Sequence, residues 1–175
     1  MLIVLGGLPG VGKTTIAREL GRLLGAVHLR IDSIEQAVRE SGVTARSIDD
    51  AGYRVGYAVA EDNLRIGRTV IADSVNPLPL TRDAWLDVAV RAAAPAVEVE
   101  LRCSDEREHR RRIERRLADP SGFTGPAWQD VISRDYRAWD REHLVVDTAG
   151  TTVAQTVAEL RAAPPRRQPS EPGCG

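Results

Sequence analysis

A chain of 175 residues, with 42% apolar and 28% charged residues, has the size and composition of one compact domain. Twenty-four basic against 25 acidic residues leave a net charge of −1, which excludes a general nucleic-acid coat and a polybasic membrane anchor. Cys103 and Cys174 are the only cysteines, so a disulfide framework is excluded and a cytoplasmic location is expected.

Met1–Leu5 is a continuous apolar run of the buried-strand kind, with no leader-like pattern, and no run approaches the roughly 18 residues of a membrane helix. Gly6–Gly12 is glycine-rich, and Lys13–Leu24 carries Ile16, Leu20, Leu23 and Leu24 at helical spacing up to Gly25. Val27–Ile31 reads as a second strand, and Ser33 as the N-cap of a short helix with Gln36 three residues on. A long helix is expected over Ile48–Ile66, then a strand over Thr69–Asp73 and a Pro-rich turn at Asn76–Pro79. Thr81 is expected to cap a helix to Ala94, and Val97–Cys103 is a fourth strand. Ser104 is expected to cap an arginine-rich helix ending near Asp119-Pro120. Pro126 opens a helix expected to reach Asp140. Leu144–Asp147 is the fifth strand and Thr152–Ala163 the last helix. The Pro-rich tail Pro164–Gly175 is expected to be disordered, leaving residues 1–163 as the domain. Strands alternating with helices imply an α/β fold, a parallel sheet covered on both faces, with ligands at the carboxyl ends of its strands.

Gly7-Leu8-Pro9-Gly10-Val11-Gly12-Lys13-Thr14 fits G-x-x-x-x-G-K-[ST] at every fixed position. Glycines let backbone N–H groups wrap a phosphate, a lysine reaches the β- and γ-phosphates, and the following hydroxyl ligates Mg²⁺. The helix opening at Lys13 adds its positive dipole end. Gly7–Thr15 is therefore the expected nucleotide-binding segment, with ATP and Mg²⁺ as its ligands. Twenty-three of the basic residues are arginine and Lys13 is the sole lysine. That excludes the Asn-Lys-x-Asp base-reading motif of GTPases. Asp73 is followed by Ser74 rather than Glu, which together with the length argues against a large ring-forming ATPase. A transporter signature is absent, and small kinases remain.

Asp32, at the end of the second strand, is either a capping carboxylate or a general base that takes a proton from an attacking hydroxyl. Asp73, after Val70, Ile71 and Ala72, has the form of a Walker B aspartate, expected to hold Mg²⁺ through water and to orient Thr14; a plain turn aspartate is the alternative. The two aspartates could exchange roles. Seven arginines lie between Arg102 and Arg116 among four acids. Arg112 and Arg116, four apart, share a helix face suited to clamping a transferring phosphate. RNA binding there is not expected, because the acids dilute the field. Asn76, Arg82 and Tyr53 are acceptor-pocket candidates by position. His109 and His143 read as satisfied or exposed, and Trp85, Trp128 and Trp139 as packing residues.

Gly7–Thr15, Ile31-Asp32-Ser33, Ile71-Ala72-Asp73 and the arginine helix together resemble small P-loop kinases, a group that includes chloramphenicol phosphotransferase, zeta-toxin-like proteins and gluconate or adenylylsulfate kinases. The resemblance spans about residues 1–160. It implies a three-layer P-loop NTPase fold, a five-stranded sheet of order 2-3-1-4-5 and an arginine-rich lid. It further implies transfer of the ATP γ-phosphoryl group to a hydroxyl, with Asp32 as base, Lys13, Arg112 and Arg116 as catalytic cations, and Asp147–Gly150 as an adenine-facing loop. The expected acceptor is a small molecule. A nucleotide or polynucleotide 5′-hydroxyl kinase, or an ATP-binding regulatory module with slow hydrolysis, are the alternatives.

Overall fold

The computed structural model describes residues 1–42, 50–118 and 125–162. Five strands form one parallel sheet in the order β2-β3-β1-β4-β5: β1 Leu2–Gly6, β2 Val27–Arg30, β3 Val70–Asp73, β4 Ala96–Arg102 and β5 Leu144–Asp147. The central strand β1 is buried along its whole length, which is why its sequence is apolar without alternation. It pairs with β3 from Leu2↔Val70 to Leu5↔Asp73 and with β4 from Leu2↔Ala96 to Gly6↔Glu100.

The two faces of the sheet carry separate cores. Leu2, Val4, Val70 and Ala72 pack under helices α2 (Ile31–Glu40), α3 (Ala51–Arg65) and α4 (Pro79–Arg91), through Ile31, Ala60, Leu64, Trp85 and Val88. Ile3, Leu5, Ile71, Val99 and Leu101 pack under α1 (Lys13–Leu24) and α7 (Val153–Ala162), through Ile16, Ala17, Leu20 and Val157. Two further helices, α5 (Glu106–Leu117) and α6 (Trp128–Ile132), lie between β4 and β5. Among the described residues, no helix is long and apolar enough to cross a membrane.

Several boundaries differ from expectation for physical reasons. Ile31 opens α2 instead of ending β2, its side chain buried in the core, so Asp32 falls in the first helical turn and Ser33 is not the cap. Helix α4 starts at Pro79, and Thr81 lies inside it with Oγ1 donating to the Leu78 carbonyl. Asp105, not Ser104, caps α5 by accepting from the Glu108 N–H at 3.0 Å. The helix expected to run to Asp140 stops at Ile132. Beyond it, the Arg137 N–H donates to the Pro77 carbonyl at 2.8 Å, and the carbonyls of Arg137 and Ala138 accept from Arg82. Tertiary partners have replaced the helical ladder there. The start of the expected 48–66 helix, the Asp119-Pro120 end of the arginine helix and the Pro-rich tail lie outside the described residues.

Arg82 anchors a polar centre there. It is fully buried and donates to the carbonyls of Asn76, Pro77, Arg137 and Ala138 at 2.6 to 3.1 Å. The guanidinium carbon lies 4.4 Å from the Trp139 ring centre and 5.4 Å from that of Tyr136. Asn76, also fully buried, donates to the Leu5 carbonyl and accepts from the Trp85 indole. Both residues are scaffold, and neither lines an acceptor pocket as their positions in sequence suggested. The Tyr53 hydroxyl accepts from the Asn76 N–H at 3.2 Å.

Candidate active site

Strands β1, β2 and β3 end side by side, because Asp73 is the register partner of both Leu5 and Arg30. The chain leaves β1 through Gly7, whose N–H donates to the Val75 carbonyl at 3.0 Å. Gly7 has φ of +133°, and a side chain there would strike the Leu101 carbonyl. Gly10 has φ of +87°, and an added Cβ would sit 2.5 Å from Ile113 Cδ1. Only glycine serves at these two positions. The second contact also shows that α5 rests directly on the loop. His109 on the same helix is buried and bonds the Pro9 carbonyl through Nε2 at 2.7 Å, so it is satisfied as its sequence setting suggested.

Lys13 begins α1 and is buried. Its ammonium donates to the Gly7 and Leu8 carbonyls at 2.7 and 2.9 Å, leaving its third donor for another partner. Burial pushes Lys13 down to about 8, against the opposing pull of the Asp73 and Asp32 carboxylates, and the charges of Arg116 and Arg134 push the same way as burial.

Asp73 is 2% exposed. Burial alone would raise its carboxyl, but the His28 hydrogen bond, the Lys13 charge and the Thr14 hydroxyl outweigh that and hold it below the ordinary aspartate range. His28 Nε2 donates to Asp73 Oδ2 at 3.0 Å. Thr14 and Asp73 therefore bring hard oxygen donors together next to the phosphate loop, a donor set that suits Mg²⁺.

Asp32 is exposed and accepts from Arg30 Nη2 at 3.3 Å. Its charge reaches Lys13, Arg116, Glu35 and Tyr53. Arg116 is partly buried, and burial with the neighbouring Arg30 charge lowers it while Asp32 and Asp73 pull it up. Lys13, Asp32, Asp73 and Arg116 thus share one electrostatic neighbourhood at the ends of β1 to β3. Arg112 does not point into it. Its guanidinium donates to Thr148 Oγ1 and to the Thr148 carbonyl at 2.9 and 3.0 Å, and to Glu108 at 3.0 Å. Thr148 Oγ1 in turn lies 2.9 Å from the Val11 carbonyl. The two arginines that share a spacing thus have different surroundings, Thr148 for Arg112 and the charges of Asp32 and Asp73 for Arg116, and Thr15 is exposed.

Sequence reasoning missed His28, Arg30 and Arg134. Strand alternation puts His28 and Arg30 on one face, but which face meets Asp73 depends on the β2–β3 register, a non-local fact. Arg134 follows α6, in the stretch that was expected to remain helical; its charge acts on Lys13 and Glu35.

Residues 2–137 match the family described as AAA domain. An uncharacterized protein of Mycobacterium tuberculosis is 29% identical over 85% of this chain and 32% of its own length. The chain therefore spans about a third of that relative. A protein of Aeropyrum pernix named "Probable adenylyl-sulfate kinase" is 26% identical over 91% of this chain and 90% of that protein. The APS kinase of Mycobacterium tuberculosis, solved with AMPPNP and APS, superposes with a TM-score of 0.68 at 20% identity, covering 91% of this chain and 94% of that one. The shared architecture is that of P-loop kinases.

Proposed function

From the premise that the chain belongs to the AAA domain family, we propose that it is a Mg²⁺- and ATP-dependent phosphotransferase that moves the γ-phosphoryl group to a hydroxyl of a small molecule in the cytoplasm. The observation that carries this reading is the convergence of Lys13, Asp32, Asp73 and Arg116 on one neighbourhood beside the glycine loop. A module that only binds nucleotide needs the loop and its lysine. It does not need a solvent-accessible carboxylate opposite an arginine. A relative named for adenylyl-sulfate and a structural neighbour crystallised with APS support a small acceptor.

Each residue then has a task. The backbone of Gly7–Thr15 cradles the phosphates, and the Lys13 ammonium turns from the Gly7 and Leu8 carbonyls toward the β- and γ-oxygens. Thr14 and Asp73 hold Mg²⁺, which neutralises phosphate charge when bound. Asp32, open to solvent, accepts the proton of the attacking hydroxyl. Arg116 faces the transferring group, where charge spreads over the equatorial oxygens. Arg112, through Thr148, joins α5 to the loop after β5, the side assigned to adenine.

The test is a screen of hydroxyl acceptors with labelled ATP, repeated with Asp32→Asn. ATP binding by this variant is expected to be retained while transfer falls on the order of 10²-fold or more. Full transfer by Asp32→Asn would remove the base, and label released only to water would favour a slow hydrolase.

A further inference from the structure

We propose that His28 is a positioning residue for Asp73: its imidazole holds Oδ2, and with it the carboxylate, in place for a divalent cation shared with Thr14. The inference rests on the assignment of Thr14 and Asp73 to Mg²⁺ made above.

Three groups stabilise the buried Asp73 carboxylate: His28, Lys13 and Thr14. A carboxylate at this depth is costly without such partners. In the proposed reaction, however, Lys13 is drawn to phosphate and the Thr14 hydroxyl to the cation. Of the three, His28 is the partner with no other task, so it remains to hold the carboxylate at every stage. Its geometry suits that role. His28 stands opposite Ile71 in the register, on the strand beside Asp73, and strand alternation gives positions 71 and 73 the same face. The ring reaches one pleat up the sheet to Oδ2 at 3.0 Å. Its side chain is 22% exposed against 3% for Asp73, so solvent meets the imidazole and not the carboxylate. A ring nitrogen that donates to this oxygen has no lone pair for a metal, and His28 acts on the cation through Asp73. Outer partners of this kind commonly tune metal affinity by about 10- to 100-fold.

The test compares His28→Leu, which keeps bulk without a donor, with His28→Gln, whose amide N–H lies the same number of bonds from Cα as Nε2. ATP affinity is measured by calorimetry in EDTA and across a Mg²⁺ titration, with thermal melts of each protein to establish that it is folded. In EDTA, both variants should bind ATP within about twofold of the parent, because the phosphate loop is untouched. The Mg²⁺ midpoint should rise about tenfold in His28→Leu and return to within about threefold of the parent in His28→Gln. An unchanged midpoint in folded His28→Leu overturns the inference, as does equal weakening with and without Mg²⁺. Asp73→Asn is run in parallel. If it too leaves the midpoint unmoved, the cation assignment itself has failed, whereas a shift in Asp73→Asn beside a silent His28→Leu sinks the His28 role alone.

Discussion

Lys13 and Arg82 are both buried cations bonded to main-chain carbonyls, yet they stand in opposite states of completion. The Arg82 guanidinium meets four carbonyls and two aromatic rings, so its fixed fork of donors is saturated by the fold. Lys13 meets two carbonyls, carries a third donor, and sits where burial has pushed it down to about 8. A buried charge that the fold has satisfied holds structure together. One that the fold has left short of partners is available to a ligand.

The sharpest way to break this comparison is to remove each cation in turn. Lys13→Ala should lower turnover by about 10³-fold or more, the scale of losing a principal charge contact in the transition state, with a melting temperature at or above the parent's, since a desolvated charge has gone. Steady-state assays and thermal melts measure both halves. A large fall in melting temperature with intact turnover would reverse the contrast. Arg82→Ala should do the opposite. It leaves buried carbonyls unpartnered, which costs about 3 kcal/mol, or roughly 6–12 °C in a domain of this size, while ATP affinity of the folded fraction holds. Calorimetric melting with ATP titration decides this.

A smaller effect sharpens the site itself. Arg116→Ala should lower kcat on the order of 10²-fold with little change in ATP affinity, while Arg161→Ala, on the far helix α7, stays within about twofold. Equal losses at both positions would mean that general positive charge, not a placed guanidinium, supports turnover.

The smallest effect is a pH response. Because Lys13 is held near 8, below its ordinary value, ATP affinity should fall as pH rises through about 8, by up to tenfold per unit above it. Stability should move the other way. The unfolded chain retains the lysine proton up to its normal pKa, so between about 8 and that value the unfolded state binds more protons and stability rises with pH. Isothermal titration and melts from pH 7 to 9.5, with Lys13→Met as the flat control, test the opposed signs.

The nucleotide-binding half of this picture was legible in the sequence because it is local. Gly7 to Thr14 are neighbours in the chain, and the dihedral demands at Gly7 and Gly10 select their own residue types. Strand existence agreed for the same reason, since apolar runs such as Leu2–Leu5 announce burial; such runs name no partner, and the strand order followed from the family resemblance. What escaped was the pairing of individual side chains between distant segments. Arg112 and Arg116 share a face of α5, yet Thr148 binds one while the other lies in the field of Asp32 and Asp73. The segment after Ile132 has helix-compatible residues, and only the docking of its carbonyls on Arg82 shows why the helix ends. His28 meets Asp73 through a β2–β3 register that neither strand reveals alone.

Of the five strands, β1 is made before the others, but its partners are Val70–Asp73 on one side and Ala96–Glu100 on the other, and the loop that follows it is tied to Val75. None of these contacts is local, and non-local pairing of this kind is slow to form. The phosphate loop therefore leaves the ribosome before its scaffold and waits until the chain has been extended past Arg102. Its capacity to hold a nucleotide is an outcome of completed assembly, so a chain truncated within β4 would carry the whole motif and bind nothing with it.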